Sequence, residues 1–451
     1  MKITGIEIGE YRQFKNIKFD FTYPADFHDK SKAGKALEKV CFIGQSGTGK
    51  TTLLNAIEDH ISVLNQALKR NTSDHIPYEE LSNYSYISSS FQFQFALNQK
   101  NTIIPPHKGL GRFDPEYIEK SILNSLDKKS IDSLLETNKL CICLRESIAR
   151  EADAFLADQS EAPQFFSDFV KTTTQIEREK EALKKRLRDA GDRKVISLGD
   201  MNSLSIWQYL LEDISDFDEV SLVLFNELIK NIEDPSAVAQ TAQIQERIRS
   251  KENPRNKLYD NCLKSVLDNF FLEIDPNYAK VPIALQTKQG VKINGGSLST
   301  GTRQLLATSI PIYKFDTTDT IILFDEPERS LFPDIQRQLI KHYTSLAPKA
   351  QFFFATHSPI IAASFEPEER FILHFDEEGN VKCRKGVAPI GDDPNDILSE
   401  DFGLNELMLD EGLEAYAQYR NLFVKIKNEQ DQNRKNKLIA EQAHLGNKYN
   451  F

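Results

Sequence analysis

Gly44-Gln45-Ser46-Gly47-Thr48-Gly49-Lys50-Thr51, followed by Thr52, has the spacing G-x-x-x-x-G-K-[ST]. Glycines at those places let successive backbone N–H groups turn inward around phosphate oxygens. A helix that starts at the lysine adds the positive end of its dipole. Lys50 then reaches the outer phosphates of a nucleotide, and the Thr51 hydroxyl suits Mg²⁺, whose other positions go to phosphate oxygens and water. A second run, Thr320-Ile321-Ile322-Leu323-Phe324-Asp325-Glu326, is an apolar strand ending in two carboxylates. Both acids therefore emerge where ligand crevices form in open α/β sheets. Asp325 is the magnesium-side carboxylate of this reading. Glu326 is placed to polarise an attacking water, because phosphoryl transfer needs an oriented nucleophile and charge stabilisation more than covalent chemistry.

Thr356-His357-Ser358-Pro359 follows the next apolar strand, and His357, between two hydroxyls, suits a hydrogen bond to a γ-phosphate. Between the phosphate loop and the acidic strand lies Leu298-Ser299-Thr300-Gly301-Thr302-Arg303-Gln304, which in isolation reads as a helix N-cap. Taken together, these runs resemble the Walker A, signature, Walker B and switch motifs of the ABC ATPase superfamily. The E-x-x-L-x-P run from Glu328 to Pro333 is most similar to the branch holding the SMC-like and overcoming-lysogenization-defect (OLD) ATPases. The resemblance covers roughly residues 1–110 and 275–380.

The resemblance implies an α/β, ABC-type P-loop ATPase head, with a mixed and parallel sheet, flanking helices and an inserted helical domain. It implies ATP and Mg²⁺ as ligands. It also implies a homodimer at least, in which Ser299 and Gly301 of one subunit contact the γ-phosphate held by the other. Lys50, Glu326 and His357 are then catalytic, Gly44 to Thr52 bind ATP, and Thr51 and Asp325 hold the magnesium. Arg12, in Tyr11-Arg12-Gln13-Phe14-Lys15, matches a basic-aromatic position near the nucleotide in SMC-like heads, and equally suits a surface arginine in a hairpin turn. Gln92, Gln94 and Gln99 lie in or beside the alternating run Phe91 to Leu97, so no magnesium-sensing glutamine is assigned.

The elements that must carry these residues are legible in part. Ile3 to Ile8 and Ile17 to Phe21 alternate as a hairpin does. Val40 to Ile43 and Thr52 to Val63 read as strand and helix around the phosphate loop. Val281 to Leu285, Thr320 to Phe324, Phe352 to Ala355 and Phe371 to Phe375 read as buried parallel strands. Residues 1–110 and 276–388 thus form the two parts of the head, 111–275 a helical insertion, and 389–451 a helical tail suited to docking a partner. Within the insertion, Gln175 to Asp189 mixes both signs of charge at helical spacing, as a solvated helix, a short coiled-coil arm or a DNA-contacting helix does.

A net charge of −11 argues against a uniformly basic nucleic-acid binder. The five scattered cysteines form no C-x-x-C pair, so neither a zinc ribbon nor a disulfide framework is indicated. No apolar run reaches the ~18 residues of a membrane span, and the start of the chain alternates like a strand, so a cytoplasmic protein with no membrane partner is expected. OLD proteins proper carry a TOPRIM nuclease, and Asp376-Glu377-Glu378 and Asp392-Asp393 read instead as solvated turns, so no nuclease is expected here. The stretch Gly391 to Gly403 is similar to one in stand-alone ATPases of anti-phage operons, such as Septu and retron-associated ATPases; in isolation it reads equally as a helix cap at Asp393-Pro394. That likeness implies an ATP-gated sensor and scaffold controlling a separate effector, an HNH nuclease or a toxin. The alternative is an SMC-like DNA-repair or chromosome ATPase that binds DNA through Lys184 to Arg188; a transporter subunit fits less well with the large insertion.

Overall fold

The computed structural model describes residues 2–70, 93–97, 100–104, 140–156, 173–188, 194–199, 203–230, 237–277, 281–404, 406 and 408–451. In chain order, β1 (Ile3–Tyr11) and β2 (Phe14–Asp20) form a hairpin, and β3 (Lys39–Gly44) leads through the glycine-rich loop into α1 (Lys50–Arg70). Then come β4 (Phe93–Leu97), β5 (Lys100–Ile104), β6 (Leu140–Leu144), α2 (Thr173–Arg188), β7 (Lys194–Leu198), α3 (Leu204–Leu210), α4 (Glu212–Lys230) and α5 (Ala237–Arg249). The chain continues with β8 (Leu272–Ile274), β9 (Leu285–Thr287), β10 (Lys292–Ile293), α6 (Thr300–Lys314), β11 (Ile321–Asp325), α7 (Pro333–Leu346) and β12 (Gln351–Ala355). It ends with β13 (Arg370–Phe375), β14 (Val381–Lys385), α8 (Asp410–Asn428) and α9 (Gln432–Tyr449).

One large sheet has the order β5-β4-β1-β2-β14-β13-β3-β12-β11-β6-β7. Its first strands are antiparallel hairpins, while β13, β3, β12, β11, β6 and β7 run parallel. Parallel strands covered on both faces need apolar residues at every position, and β3, β11 and β12 supply them. Cys41, Ile43, Ile322, Phe324, Phe352 and Phe354 enter the core on one face, and Val40, Phe42, Ile321, Leu323 and Phe353 enter the core on the other. The three strands that carry the phosphate loop, the paired acids and His357 are adjacent, β3-β12-β11, and point the same way. Their carboxyl ends therefore form one ledge.

Two expectations are corrected. Residues 111–275 are not wholly a helical insertion, because β6 pairs with β11 and β7 with β6 in the main sheet. Five-residue apolar runs such as Leu-Cys-Ile-Cys-Leu carry no period that separates a buried strand from a helix segment. Val281 to Leu285 is not a parallel strand: β9 begins only at Leu285 and lies in a separate antiparallel sheet, β10-β9-β8. Pro282 has no N–H to give a ladder, and its carbonyl instead accepts from Arg255 Nε at 3.0 Å.

In α2, Lys180 and Lys184 pair with Glu212 of α4, Lys180 at 3.4 Å, so part of its charge is used inside the molecule. The side chains of Lys185 to Arg188 lie outside the described residues, as do Gln92 and Gln99; Gln94 lies on β4. Past β14, Asp393 caps a short helical turn by accepting from Asn395 N at 2.8 Å. Asp401, fully buried, lies 3.0 Å from the buried Arg370 guanidinium of β13 and accepts from Val387 N at 2.9 Å. A buried ion pair of this kind is costly to break from one side, so residues 391–403 are fastened to the sheet. Among the described residues no helix is long and apolar enough to cross a membrane.

Candidate functional site

The glycine-rich loop is shaped by backbone that only glycine adopts readily. Gly49 has φ +94°, and a Cβ there would lie 2.1 Å from Gln13 Nε2 and 2.6 Å from Phe14 Cζ. The loop is closed from within: Thr48 Oγ1 donates to Gln45 O at 2.8 Å, and Lys50 Nζ donates to Gly44 O at 2.9 Å and Gln45 O at 3.1 Å. Ser46 and Gly47 form the outer bend, and Thr51 and Thr52 open α1. Across the ledge, Thr51 Oγ1 donates to Asp325 Oδ1 at 3.1 Å, which joins the phosphate loop to the end of β11.

Glu326 sits in the left-handed region at φ +50°, a conformation that costs a non-glycine residue about 1 kcal/mol and needs support from its surroundings. That support is visible. Its N–H donates to Ala355 O at 2.9 Å, and its carbonyl accepts from Gln304 Nε2 at 3.2 Å. The side chain is thereby turned toward His357, whose Nε2 is 4.0 Å from Glu326 Oε1. Two residues on, Glu328 Oε1 accepts from Thr356 Oγ1 at 2.7 Å and from His357 N at 2.9 Å, so the turn after β11 holds the loop after β12.

The electrostatics follow from depth. Burial pulls the Lys50 ammonium down to about 8, with Glu326, Asp325 and Glu328 opposing the shift. Burial pushes the Asp325 carboxyl up, against the hydrogen bond from Thr51, and the Glu326 charge adds to the rise. Glu328 is likewise raised by burial, against its bonds from Thr356 and His357 N. His357 is lowered by burial and by the Lys50 charge, with Glu326 opposing. Three carboxylates and one ammonium thus share a partly dry ledge, and an added anion beside Lys50 would restore its full charge.

Ser299 caps α6: its Oγ accepts from Thr302 N at 3.1 Å and lies 2.8 Å from Thr302 Oγ1. Gly301 packs on the turn after β11, where a Cβ would meet Ser330 O at 2.4 Å. The structure therefore joins this run to the Glu326–Leu331 turn of its own chain. Arg12 stands 5.3 Å over the Tyr11 ring. It is the next residue, Gln13, whose Nε2 reaches the phosphate loop, donating to Gly47 O at 3.4 Å.

Residues that sequence reasoning left without a role are Gln13, Gln304, Glu328 and Arg145. Arg145 follows the unforeseen strand β6 and bonds Asn55 and Glu58 of α1, bracing the helix that opens at Lys50. Gln304 ends the run Leu298 to Gln304 and Gln13 follows Arg12, so proximity in sequence is the signal for either.

Comparison with protein families finds one described as AAA ATPase domain (AAA_15), matching residues 1–362. No curated protein matches the chain. Among solved structures, it is similar to the Smc head domain with an extended coiled coil bound to the C-terminal domain of ScpA derived from Pyrococcus furiosus. There the identity is 12%, coverage is 85% of this chain and 96% of that one, and the TM-score is 0.37. A second similar structure is the SmcHead bound to the C-winged helix domain of ScpA, with 11% identity, coverage of 85% and 97%, and a TM-score of 0.38.

Proposed function

The chain belongs to the AAA ATPase domain family, and from that premise we propose that it is a nucleotide-gated switch whose two-chain closure over ATP controls a separate effector in bacterial anti-phage defence. The observation that carries the catalytic part is the 3.1 Å pairing of Thr51 Oγ1 with Asp325 Oδ1, beside Lys50, Glu326 and His357. An all-oxygen pair of hydroxyl and carboxylate fits Mg²⁺, which uses few protein ligands and leaves the rest to phosphate and water. When bound there, the ion offsets charge on the phosphate oxygens.

The remaining roles fall to this chain's own side chains. Lys50 leaves the loop carbonyls for the outer phosphates. Glu326 orients and polarises the attacking water, and His357 hydrogen-bonds the γ-phosphate from the far side. Gln13 borders the loop from the β1–β2 turn through its bond to Gly47 O, with Arg12 next to it in the turn. Ser299 and Gly301 engage the nucleotide of a second copy. Supporting that last role, Phe332, in the turn that packs on Gly301, is 71% exposed, as an interface residue of a separated subunit is. The effector assignment, an HNH nuclease or toxin, is supported by the likeness of residues 391–403 to stand-alone defence ATPases.

The test compares particle mass with and without magnesium and ATP. The natural chain is expected to gain mass on adding ATP, and Lys50→Ala and Ser299→Arg to lose that response. Co-purified partners of the natural chain then identify the effector. An undiminished mass response in Ser299→Arg would defeat the two-chain site.

The depressed Lys50 gives a pH prediction. Above about pH 8 a growing share of the free protein carries a neutral Lys50, whereas phosphate binding requires the ammonium. Nucleotide binding should therefore take up a proton at pH 9, and affinity should fall by up to about tenfold per pH unit beyond 8. Calorimetry in buffers of different ionisation enthalpy measures this directly; zero proton uptake at pH 9 would contradict it.

A further inference from the structure

The C-terminal hairpin has two apolar seams and one internal partner for them. The first seam on α8, Ala415, Tyr419, Leu422 and Ile426, has the spacing of a single helix face. It meets α9: Gln442 Nε2 donates to Tyr419 O at 3.4 Å, the Tyr419 ring lies 5.7 Å from that of Phe451, and Ala415 and Leu422 are buried. A second seam runs from Leu409, the extended residue that precedes α8, through Tyr416 to Phe423, with Val424 beside it; Tyr416 also meets the Phe451 ring edge-on at 5.2 Å, so Leu409, Phe423 and Val424 are its uncovered part. Leu409 is 86% and Phe423 62% exposed, and Ile439 of α9 is exposed as well. A pair of helices covers one seam; two seams per helix are what a four-helix bundle covers.

The charges say what the second seam meets. The tip of the hairpin carries Lys425, Lys427, Arg434, Lys435 and Lys437 against Glu429 and Asp431, and the opposite end carries Asp410, Glu411 and Glu414 against Lys448. Each hairpin is therefore a rod with a basic tip and an acidic base, complementary to a copy of itself turned end for end. At 1.5 Å per residue the helices are about 28 Å long, and a two-helix face about 20 Å wide, so two such faces bury about 1,100 Å² in total. That is near the lower edge of specific interfaces, the range of a reversible, concentration-dependent contact.

We propose that the outer seam of this hairpin pairs with the same seam of a second copy, antiparallel, basic tip against acidic base. The contact is isologous and independent of nucleotide, and so is separate from the ATP-dependent closure proposed above. A chain with two self-complementary interfaces builds assemblies larger than a dimer unless both share one axis.

Sedimentation equilibrium of the full chain without nucleotide, over a concentration series at low and high salt, tests the proposal. A reversible dimer that weakens with salt is expected. Phe423→Glu should raise its dissociation constant at least about tenfold, as loss of a buried aromatic anchor does, with nucleotide binding retained as the check on folding. Lys435→Glu with Lys437→Glu should weaken the dimer, as should Asp410→Lys with Glu414→Lys, and all four changes in one chain should restore it. Ser299→Arg should leave it intact, which separates failure here from failure of the head closure. The proposal is overturned by a chain that stays monomeric throughout, by a Phe423→Glu chain that dimerises normally, or by a fourfold charge reversal that recovers nothing.

Discussion

Glu326→Gln is expected to lower ATP turnover by about 10²–10⁴-fold, the range of a positioned general base, while nucleotide affinity changes by no more than a few-fold. The geometry makes this substitution unusually clean. What holds Glu326 in its left-handed conformation is backbone: its N–H on Ala355 O and its carbonyl under Gln304 Nε2. Glutamine keeps both contacts and the side-chain shape, and loses only the negative charge and the capacity to draw a proton from water. Asp325, bonded to Thr51 one residue earlier, is untouched, so the binding half of the site persists. Single-turnover hydrolysis alongside equilibrium nucleotide binding separates the two quantities. Turnover within a few-fold of the natural chain would remove Glu326 from the chemistry and leave Asp325 or Glu328 to be tried in its place.

The parts of this site legible in the sequence are those whose logic is local. The phosphate loop announces itself because its glycines, lysine and threonine act within eight consecutive positions. The acids of β11 do so because a run of four buried apolar residues delivers them to a strand end. What stayed hidden depends on tertiary path. Strands β6 and β7 are short apolar runs in charged surroundings, and only their parallel pairing with β11 distinguishes them from helix segments. Val281 to Leu285 has the composition of a strand, but Pro282 denies it a ladder. Gln304 meets Glu326 and Pro327 across twenty-odd residues of chain, and Gln13 meets Gly47 across more than thirty; no spacing rule reaches that far. The β1–β2 turn carries its charge at Arg12, whereas the residue that bonds the loop is the neutral one beside it.

The same distinction governs Glu328, which the sequence offers only as the first letter of a run and the structure places between two motifs. Its Oε1 takes hydrogen bonds from Thr356 Oγ1 and His357 N, and Thr356 Oγ1 in turn accepts from Ser358 N at 2.9 Å. Upstream, the same turn bears on α6 through Gln304 and Gly301. A displacement of α6 therefore has two routes to the His357 loop: this carboxylate, and Gln336, which donates to Leu331 O at 2.9 Å and accepts from Ser358 Oγ at 2.6 Å. Glu328→Ala leaves the buried Thr356 hydroxyl without its acceptor and loosens the loop at His357, with the Ser358–Gln336 bond remaining, and a misplacement on the order of 1 Å costs turnover about 10²-fold. Glu328→Gln keeps an acceptor oxygen in place and should recover most of that loss, because the role is to hold the loop. If His357 acts only through this anchor, adding His357→Ala to Glu328→Ala should cost little more, a non-additivity that a double-mutant cycle reads directly. Full additivity of the two losses, or a Glu328→Gln chain as slow as Glu328→Ala, would show that the carboxylate acts by its charge on Lys50 and the water instead of by its grip on the loop.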